Sequence, residues 1–119
     1  MGGLLLCHMV DSRATIAFGV LKGWKKKLKG LLGTNEDANP VALCRCSSVH
    51  TFGMKYALDV ALVSRNGAVL ASKRAVPPRR VMSARGAHYA LERPCCEAPW
   101  PTNGSWVSVV ECRKDRTLF

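Results

Sequence analysis

The sequence predicts a mainly β domain, α+β at the margin, built as a small antiparallel β-sandwich or distorted barrel with one amphipathic basic helix near the N-terminus. Several short apolar runs alternate with a period of two residues and are separated by glycine or proline turns at fairly regular spacing. A helical period occurs in the run that begins at Leu21. Short strands divided by turns are typical of sandwiches and barrels, and the helix is expected to cover an open end or an edge.

The first two apolar runs predict strands. The run from Leu4 to Val10 is almost wholly apolar and forms either a first strand or a loosely attached leader. In the run from Arg13 to Val20, apolar residues occupy every second position, which gives a strand one fully apolar face.

A basic amphipathic helix is expected from about Leu21 to the stop at Gly33. Its apolar residues recur at intervals of three and four, and lysines cover the opposite side. The apolar stripe is Leu21, Trp24, Leu28, Leu31 and Leu32, and the lysines are Lys22, Lys25, Lys26 and Lys29.

The middle of the chain predicts a strand, a bend and a hairpin. Residues 41–46 carry the strand, and residues 47–54, with their small hydroxyl side chains and a glycine, suit a bend. The alternating run 57–63 and the returning run 68–71 are joined by Asn66-Gly67, which is a strong hairpin signal.

Beyond the hairpin, residues 73–80 form a basic connection whose prolines are not expected in a central ladder. Residues 86–92 and 106–110 predict the last two strands. The stretch 93–104 between them is expected to be irregular, because it holds several prolines and an Asn-Gly pair.

Asp59 is the polar exception within the most apolar strand. A carboxylate on an interior strand is costly unless donors lie close to it. We expect those donors to come from the preceding bend, as the backbone N–H groups of residues 50–54, the Thr51 hydroxyl or the His50 ring, or from Arg85.

Several short motifs are spaced along the chain. They are Leu28-Lys29-Gly30-Leu31-Leu32-Gly33, Ser48-Val49-His50-Thr51-Phe52-Gly53-Met54, Asp59-Val60, Gly67, Val69, Arg85-Gly86-Ala87 and Leu91-Glu92. Together they resemble the signature of the domain of unknown function 192 family, over about residues 14–110. The resemblance implies a small, mostly β domain with one helix near its start, and it brings no established activity. Ala57 stands where that family usually has a proline, and Pro94-Cys95-Cys96 replaces its Pro-x-Gly and short helix.

The length of 119 residues predicts a single domain, 1–119, in which 1–12 is a leader or first strand and 113–119 is a frayed tail. No apolar run approaches the ~18 residues that a membrane-spanning helix needs. The N-terminal run also lacks the features of an export signal. We therefore expect a cytoplasmic protein whose six cysteines stay reduced.

Polar residues that converge beside apolar strands predict a binding pocket. We expect non-catalytic recognition of a small ligand or a protein partner, with no cofactor and no metal. A histidine, a threonine and an aspartate would shape the pocket, a phenylalanine and a methionine would form its apolar wall, and an arginine would meet an anion. These residues are His50, Thr51, Asp59, Phe52, Met54 and Arg85.

The excess of basic residues supports an alternative, a nucleic-acid-binding accessory module. The chain has 18 basic and 8 acidic residues, a formal net charge of +10 and a pI near 9.8. Lysines and arginines on one surface bind phosphates without reading sequence, although a solvated helix face has the same composition. The candidate residues are Lys22, Lys25, Lys26, Lys29, Arg79 and Arg80.

An enzyme is the second alternative. Cys46, His50 and Asp59 have the residue types of a nucleophile, a base and the group that orients the base. A metal-dependent enzyme would use Cys44, Cys46, His50, Cys95 and Cys96 as ligands. One of these cysteine pairs is separated by a single residue and the other is adjacent, and this spacing is unlike that of structural zinc sites.

Overall fold

The computed structural model describes residues 3–21, 31 and 33–112. This part of the chain forms nine β-strands, and it contains no helix. In chain order the strands are β1 (Leu4–Met9), β2 (Thr15–Leu21), β3 (Val41–Cys44), β4 (Ser48–His50), β5 (Leu58–Ser64), β6 (Val69–Val76), β7 (Val81–Ser83), β8 (Ala87–Pro94) and β9 (Val107–Cys112).

Seven of these strands form one sheet in the order β6-β5-β8-β3-β2-β1-β9. Adjacent strands of this sheet pair antiparallel, except β2 and β3, which pair parallel. The remaining two strands, β4 and β7, pair antiparallel in a separate two-stranded ribbon.

The large sheet curls until its two edge strands meet near their starts. A single bridge joins Ala68 to Trp106, and the Val107 N–H donates to the Gly67 carbonyl at 2.9 Å. Gly67 has a φ of 100°, and a Cβ placed on it would lie 2.1 Å from the Val107 carbonyl oxygen. The closure therefore requires glycine at this position.

The curled sheet has a core on each face. All seven strands contribute to the cluster on the concave face, which we call the inner core. The second cluster, the outer core, lies on the convex face of β3, β8 and β5, where the ribbon covers it. Inner-core members include Leu5, Phe18, Ala61, Leu91, Trp100 and Val107, and outer-core members include Leu43, Val49, Met54, Leu58, Val60 and Val76.

The structure confirms a mainly β domain built on a strongly curled sheet, and it confirms the hairpin at Asn66-Gly67, where β5 turns into β6. Two local expectations were wrong. The segment expected to be a plain bend contains β4, and Lys73 and Arg74 lie in β6 rather than in a connection. Pro77 and Pro78 follow the end of β6 and lie outside the ladder, as expected.

The predicted basic helix falls mainly on residues 22–30 and 32, which lie outside the described residues, as do 1–2 and 113–119. Its expected first residue, Leu21, is instead the last residue of β2, and Leu31 lies buried in a turn. Within the described ranges, no helix has the length and apolar character needed to cross a membrane.

Candidate functional site

The β4–β7 ribbon is an amphipathic cover on the convex face of the sheet. Its two strands pair Val49 with Met82 and His50 with Val81. Val49 and Met82 pack into the outer core, whereas His50 and Val81 are exposed. Because successive side chains of a strand point to opposite faces, one face of the ribbon packs into the outer core and the other is exposed to solvent.

Thr51 fixes the backbone at the base of this ribbon. Its side chain is buried, its hydroxyl donates to the Pro77 carbonyl at 2.7 Å, and it accepts from the Arg80 N–H at 2.9 Å. The Thr51 N–H also donates to the Arg80 carbonyl, and the Arg79 N–H donates to the Thr51 carbonyl. Thr51 is therefore a buried clamp rather than a residue that lines a pocket.

The clamp holds a strained connection between β6 and β7. Arg79 has a φ of 66°, a left-handed conformation that costs a residue with a side chain roughly 1–2 kcal/mol. Arg79 and Arg80 are both exposed, so the main chain is fixed while the two guanidinium groups reach solvent. Local strain held by surrounding structure is a feature of many binding sites.

We define the ribbon surface as His50, Phe52, Arg79, Arg80 and Val81. The Phe52 N–H donates to His50 Nδ1 at 3.2 Å, and the two ring centroids are 5.8 Å apart. Phe52 is 51% exposed and Val81 is 62% exposed. Large apolar side chains held in water beside arginines resemble the anchors of protein interfaces.

The electrostatics of the ribbon are uniformly positive. The two segments that build it, residues 47–56 and 77–86, contain Lys55, Arg79, Arg80 and Arg85 and no aspartate or glutamate. Arg85 is exposed in the turn between β7 and β8. The arrangement is therefore suited to a partner that carries negative charge.

Asp59 lies on the other face of the sheet from the ribbon. Leu58 and Val60 point into the outer core, so the residue between them points into the concave side. Asp59 and His50 consequently do not share a pocket. Met54 is also buried, as a member of the outer core, and it packs beneath the ribbon.

Asp59 is wholly buried, and its donors differ from the expected ones. Its Oδ2 accepts from Arg93 Nε at 2.9 Å, and its Oδ1 accepts from the Ala75 N–H at 2.9 Å. Ala75 has a φ of 53° at a β-bulge opposite Asp59, so its N–H leaves the regular ladder and the carboxylate receives it instead. Neither residues 50–54 nor Arg85 donate to Asp59 in the structure.

Arg93 faces Asp59 across neighbouring strands and ties the following loop to the sheet. Its Nη1 donates to the Pro99 carbonyl at 3.0 Å and its Nη2 to the Ala98 carbonyl at 2.6 Å. The guanidinium carbon lies 4.5 Å from the centroid of the Trp100 ring. The stretch expected to be irregular is therefore held by one buried arginine, which is a structural role.

Sequence reasoning missed Arg93 because the predicted strand ended at Glu92, two residues before the end of β8. A strand extended by one residue places Arg93 on the same face as Leu91, directly opposite Asp59. Val81 was missed as well, since the segment 81–83 was too short to predict a strand.

Glu92 is a second buried carboxylate, and it points toward the outer core. Burial raises its pKa to about 7, and a hydrogen bond from the Leu31 backbone opposes that rise. This residue belongs to the Leu91-Glu92 pair of the sequence signature, and its side chain is 5% exposed.

The residues considered for catalysis are not assembled. The Cys46 thiol donates to the Ser48 carbonyl, His50 accepts from Phe52, and Asp59 is engaged by Arg93. Burial raises the pKa of the Cys7 thiol to about 11, which disfavours the thiolate there. Among the described residues, no three histidine, cysteine or carboxylate side chains are grouped to hold a metal ion.

The remaining candidate residues belong to the nucleic-acid alternative. Arg79 and Arg80 lie on the ribbon surface, as described above. Lys22, Lys25, Lys26 and Lys29 lie outside the described residues.

Two solved structures share this fold. A protein from Sinorhizobium meliloti 1021, provisionally assigned as a transcription regulator, superimposes with a TM-score of 0.70 over 93% of this chain and 96% of its own, at 11% identity. A protein of unknown function from Novosphingobium aromaticivorans DSM 12444 gives a TM-score of 0.65 over 90% of this chain and 83% of its own, at 14% identity. At these identities the likeness shows the fold alone. No protein-family model and no curated protein matches the chain.

Proposed function

We propose that this chain is a non-catalytic recognition domain of the domain of unknown function 192 family, and that the ribbon surface binds an anionic partner. The observation that carries the proposal is the exposure of Phe52 and Val81, at 51% and 62%, between arginines in a segment without carboxylates. The family assignment rests on the sequence signature and on the mostly β fold that the signature implies.

The clamp at Thr51 supports this function because it orders the backbone of the connection between β6 and β7 before a partner binds. The hydrogen bonds to Pro77 and Arg80 hold the connection in place without a partner. A preorganised surface loses less conformational entropy on association. The partner that fits is a protein segment or small ligand in which a carboxylate or phosphate adjoins an apolar group.

The test uses a labelled peptide in which glutamates alternate with leucine and tryptophan. We expect binding to the whole chain, and a loss of about tenfold in affinity for Phe52→Ala or Arg80→Ala. The matched control is Val10→Ala, since Val10 is as exposed, at 58%, but lies outside the ribbon. Equal affinities for Phe52→Ala and Val10→Ala would show that the ribbon surface is not the binding site.

A second candidate function is nucleic-acid binding, which the pairing of exposed rings with arginines specifically favours. The ring of Phe52 can stack on a base while Arg79 and Arg80 contact phosphates. The provisional assignment of the Sinorhizobium protein as a transcription regulator points the same way. The lysines at 22, 25, 26 and 29 would add phosphate contacts.

Binding of labelled mixed-sequence RNA and DNA at two salt concentrations separates the two candidates. Affinity that falls steeply with salt, and that weakens in Arg79→Ala, supports nucleic acid, because the salt slope counts phosphate contacts. Lys25→Ala and Lys26→Ala then report whether the lysine segment contributes. Absence of binding at low salt removes this candidate and leaves the anionic protein or ligand.

The proposal places the domain in the cytoplasm, and no cofactor is part of it. The cysteines of the described residues form no disulfide with one another, a state that a reducing compartment maintains.

A further inference from the structure

Cys95 and Cys96 form a pair of adjacent, exposed cysteines in the loop that follows β8. They are the one adjacent pair of cysteines in the sequence. Thiols that react with oxidants are accessible to solvent, whereas buried cysteines are inert. The pair is therefore open to a reagent that arrives from solvent.

The structure holds the backbone of this pair on both sides. The Cys95 N–H donates to the Ala57 carbonyl at 3.0 Å, and the Cys96 carbonyl accepts from Arg74 Nη2 at 3.4 Å. The Cys96 N–H points to Asp59 Oδ2, which lies 3.5 Å away. The peptide group between the two cysteines thus lies beside the buried carboxylate.

The two thiols differ in their surroundings. Partial burial raises the pKa of the Cys95 thiol, and the Asp59 carboxylate raises it further through its charge and a hydrogen bond. Thiol–disulfide exchange begins with a thiolate, so a raised pKa leaves less of the reactive form at neutral pH. Cys96 is therefore favoured for the first attack, and Cys95 is next to it in the chain for the second.

We propose that Cys95 and Cys96 form a redox-sensitive dithiol that low-molecular-weight disulfides oxidise to a vicinal disulfide. The Cys96 thiolate first attacks one sulfur of the small disulfide, so that a mixed disulfide forms and one small thiolate leaves. The Cys95 thiolate then attacks the Cys96 sulfur, which closes the ring and releases the second small thiolate. The chain gives up two electrons and two protons, and the small disulfide is reduced to two thiols.

Ring closure strains the peptide group that lies beside Asp59. Adjacent Cα atoms are about 3.8 Å apart across a trans peptide, whereas disulfides usually join Cα atoms roughly 4.4–6.8 Å apart. The backbone between the cysteines has to twist, and the Cys96 N–H belongs to the peptide group that turns. Strained, exposed disulfides are readily reduced, so the pair is suited to reversible oxidation rather than to a permanent cross-link.

The test is exchange of the full chain with glutathione disulfide, followed by alkylation of the remaining thiols and cleavage after glutamate. This cleavage releases residues 93–97, which contain both cysteines of the pair and no other. We expect this peptide to lose two hydrogens and both alkylation sites, and to regain them after reduced glutathione is added. Cys112→Ser is the matched control, since it removes another exposed cysteine and should leave this result unchanged.

The single variants test the order of the two steps. Cys95→Ser should keep glutathione on Cys96 as a stable mixed disulfide. This adduct should form at least about threefold faster than the adduct on Cys95 in Cys96→Ser. Equal rates in the two variants would overturn the assigned order.

Urea unfolding measures whether the ring is coupled to the fold. Oxidation should raise the equilibrium constant for unfolding at least about tenfold, because the hydrogen bonds of the folded backbone oppose the twist. A wild-type chain that keeps glutathione as a mixed disulfide, a link from Cys96 to a different cysteine, or equal stability of the oxidised and reduced chains would each overturn the proposal. The ribbon surface contains no cysteine, so its binding should be the same in both states, and the two proposals fail separately.

Discussion

Replacing Asp59 by asparagine tests whether the buried pair with Arg93 stabilises the curled sheet. The substitution keeps the shape of the side chain and one acceptor for the Ala75 N–H, but it removes the negative charge. Arg93, 4% exposed, then remains in the interior without a counter-charge. Its two loop carbonyls are still in place, but they do not neutralise it.

The magnitude follows from the burial of both partners. Breaking a buried pair by removing one partner costs about 3–5 kcal/mol, because the other charge is left uncompensated. A domain of this size is stable by roughly 5–15 kcal/mol in total. Asp59→Asn is therefore expected to remove about a fifth or more of the stability and to lower the unfolding temperature by roughly 10–20 °C.

The assay is urea unfolding followed by tryptophan fluorescence, since Trp100 packs against Arg93 and reports on the same region. Arg93→Met and the double variant complete a thermodynamic cycle with Asp59→Asn. We expect the double variant to lose less stability than the two single variants added together, by about 2 kcal/mol. Asp37→Asn, at an exposed carboxylate, is the control and should change stability by less than about 0.5 kcal/mol. A loss below about 1 kcal/mol for Asp59→Asn, or strict additivity, would refute the structural role.

Two further predictions concern the dependence of stability on pH and the contact between the two edges of the sheet at Gly67. Because burial raises the pKa of Glu92 from 4.5 to about 7, the folded state keeps a proton that the unfolded state has lost, and stability should fall by about 3 kcal/mol as pH rises through that window. Glu92→Gln should remove this slope in urea titrations, and an unchanged slope would contradict the assignment. Gly67→Ala should cost at least about 2 kcal/mol, because its Cβ would meet the Val107 carbonyl at 2.1 Å. Gly104→Ala, with a similar φ and open space around it, should cost about half as much, and equal losses would show that closure is not involved.

The proposed recognition site depends on the β4–β7 ribbon, which forms a second layer over the convex face of the sheet. His50, Phe52 and Arg85 were predicted from sequence and are exposed at or near the ribbon. Val81 joins them through a pairing with His50, and Arg79 and Arg80 join them through the clamp at Thr51. Thr51 and Met54 are buried beneath the same region and hold the exposed residues in place.

The sequence alone determined the elements whose signals are local. The two-residue alternation in residues 57–63 and the Asn66-Gly67 turn predicted the hairpin of β5 and β6, because both signals act between neighbours in the chain. The mainly β class followed from the number and spacing of such runs, which left a sandwich and a distorted barrel both open. Asp59 could be recognised as a buried carboxylate that needed donors, since its strand is apolar on both faces.

Only the tertiary structure decided which donors those are. Arg93 lies 34 residues from Asp59 in the chain, and the two meet because β8 pairs with β5 in one particular register. A shift of one residue would have turned Arg93 to the opposite face, and no local pattern specifies that register. The same holds for the closure at Gly67 and for the ribbon, whose strands join residues 48–50 to residues 81–83. Pairing across long loops depends on the packing of the whole core, and it is this packing that separates Asp59 from His50.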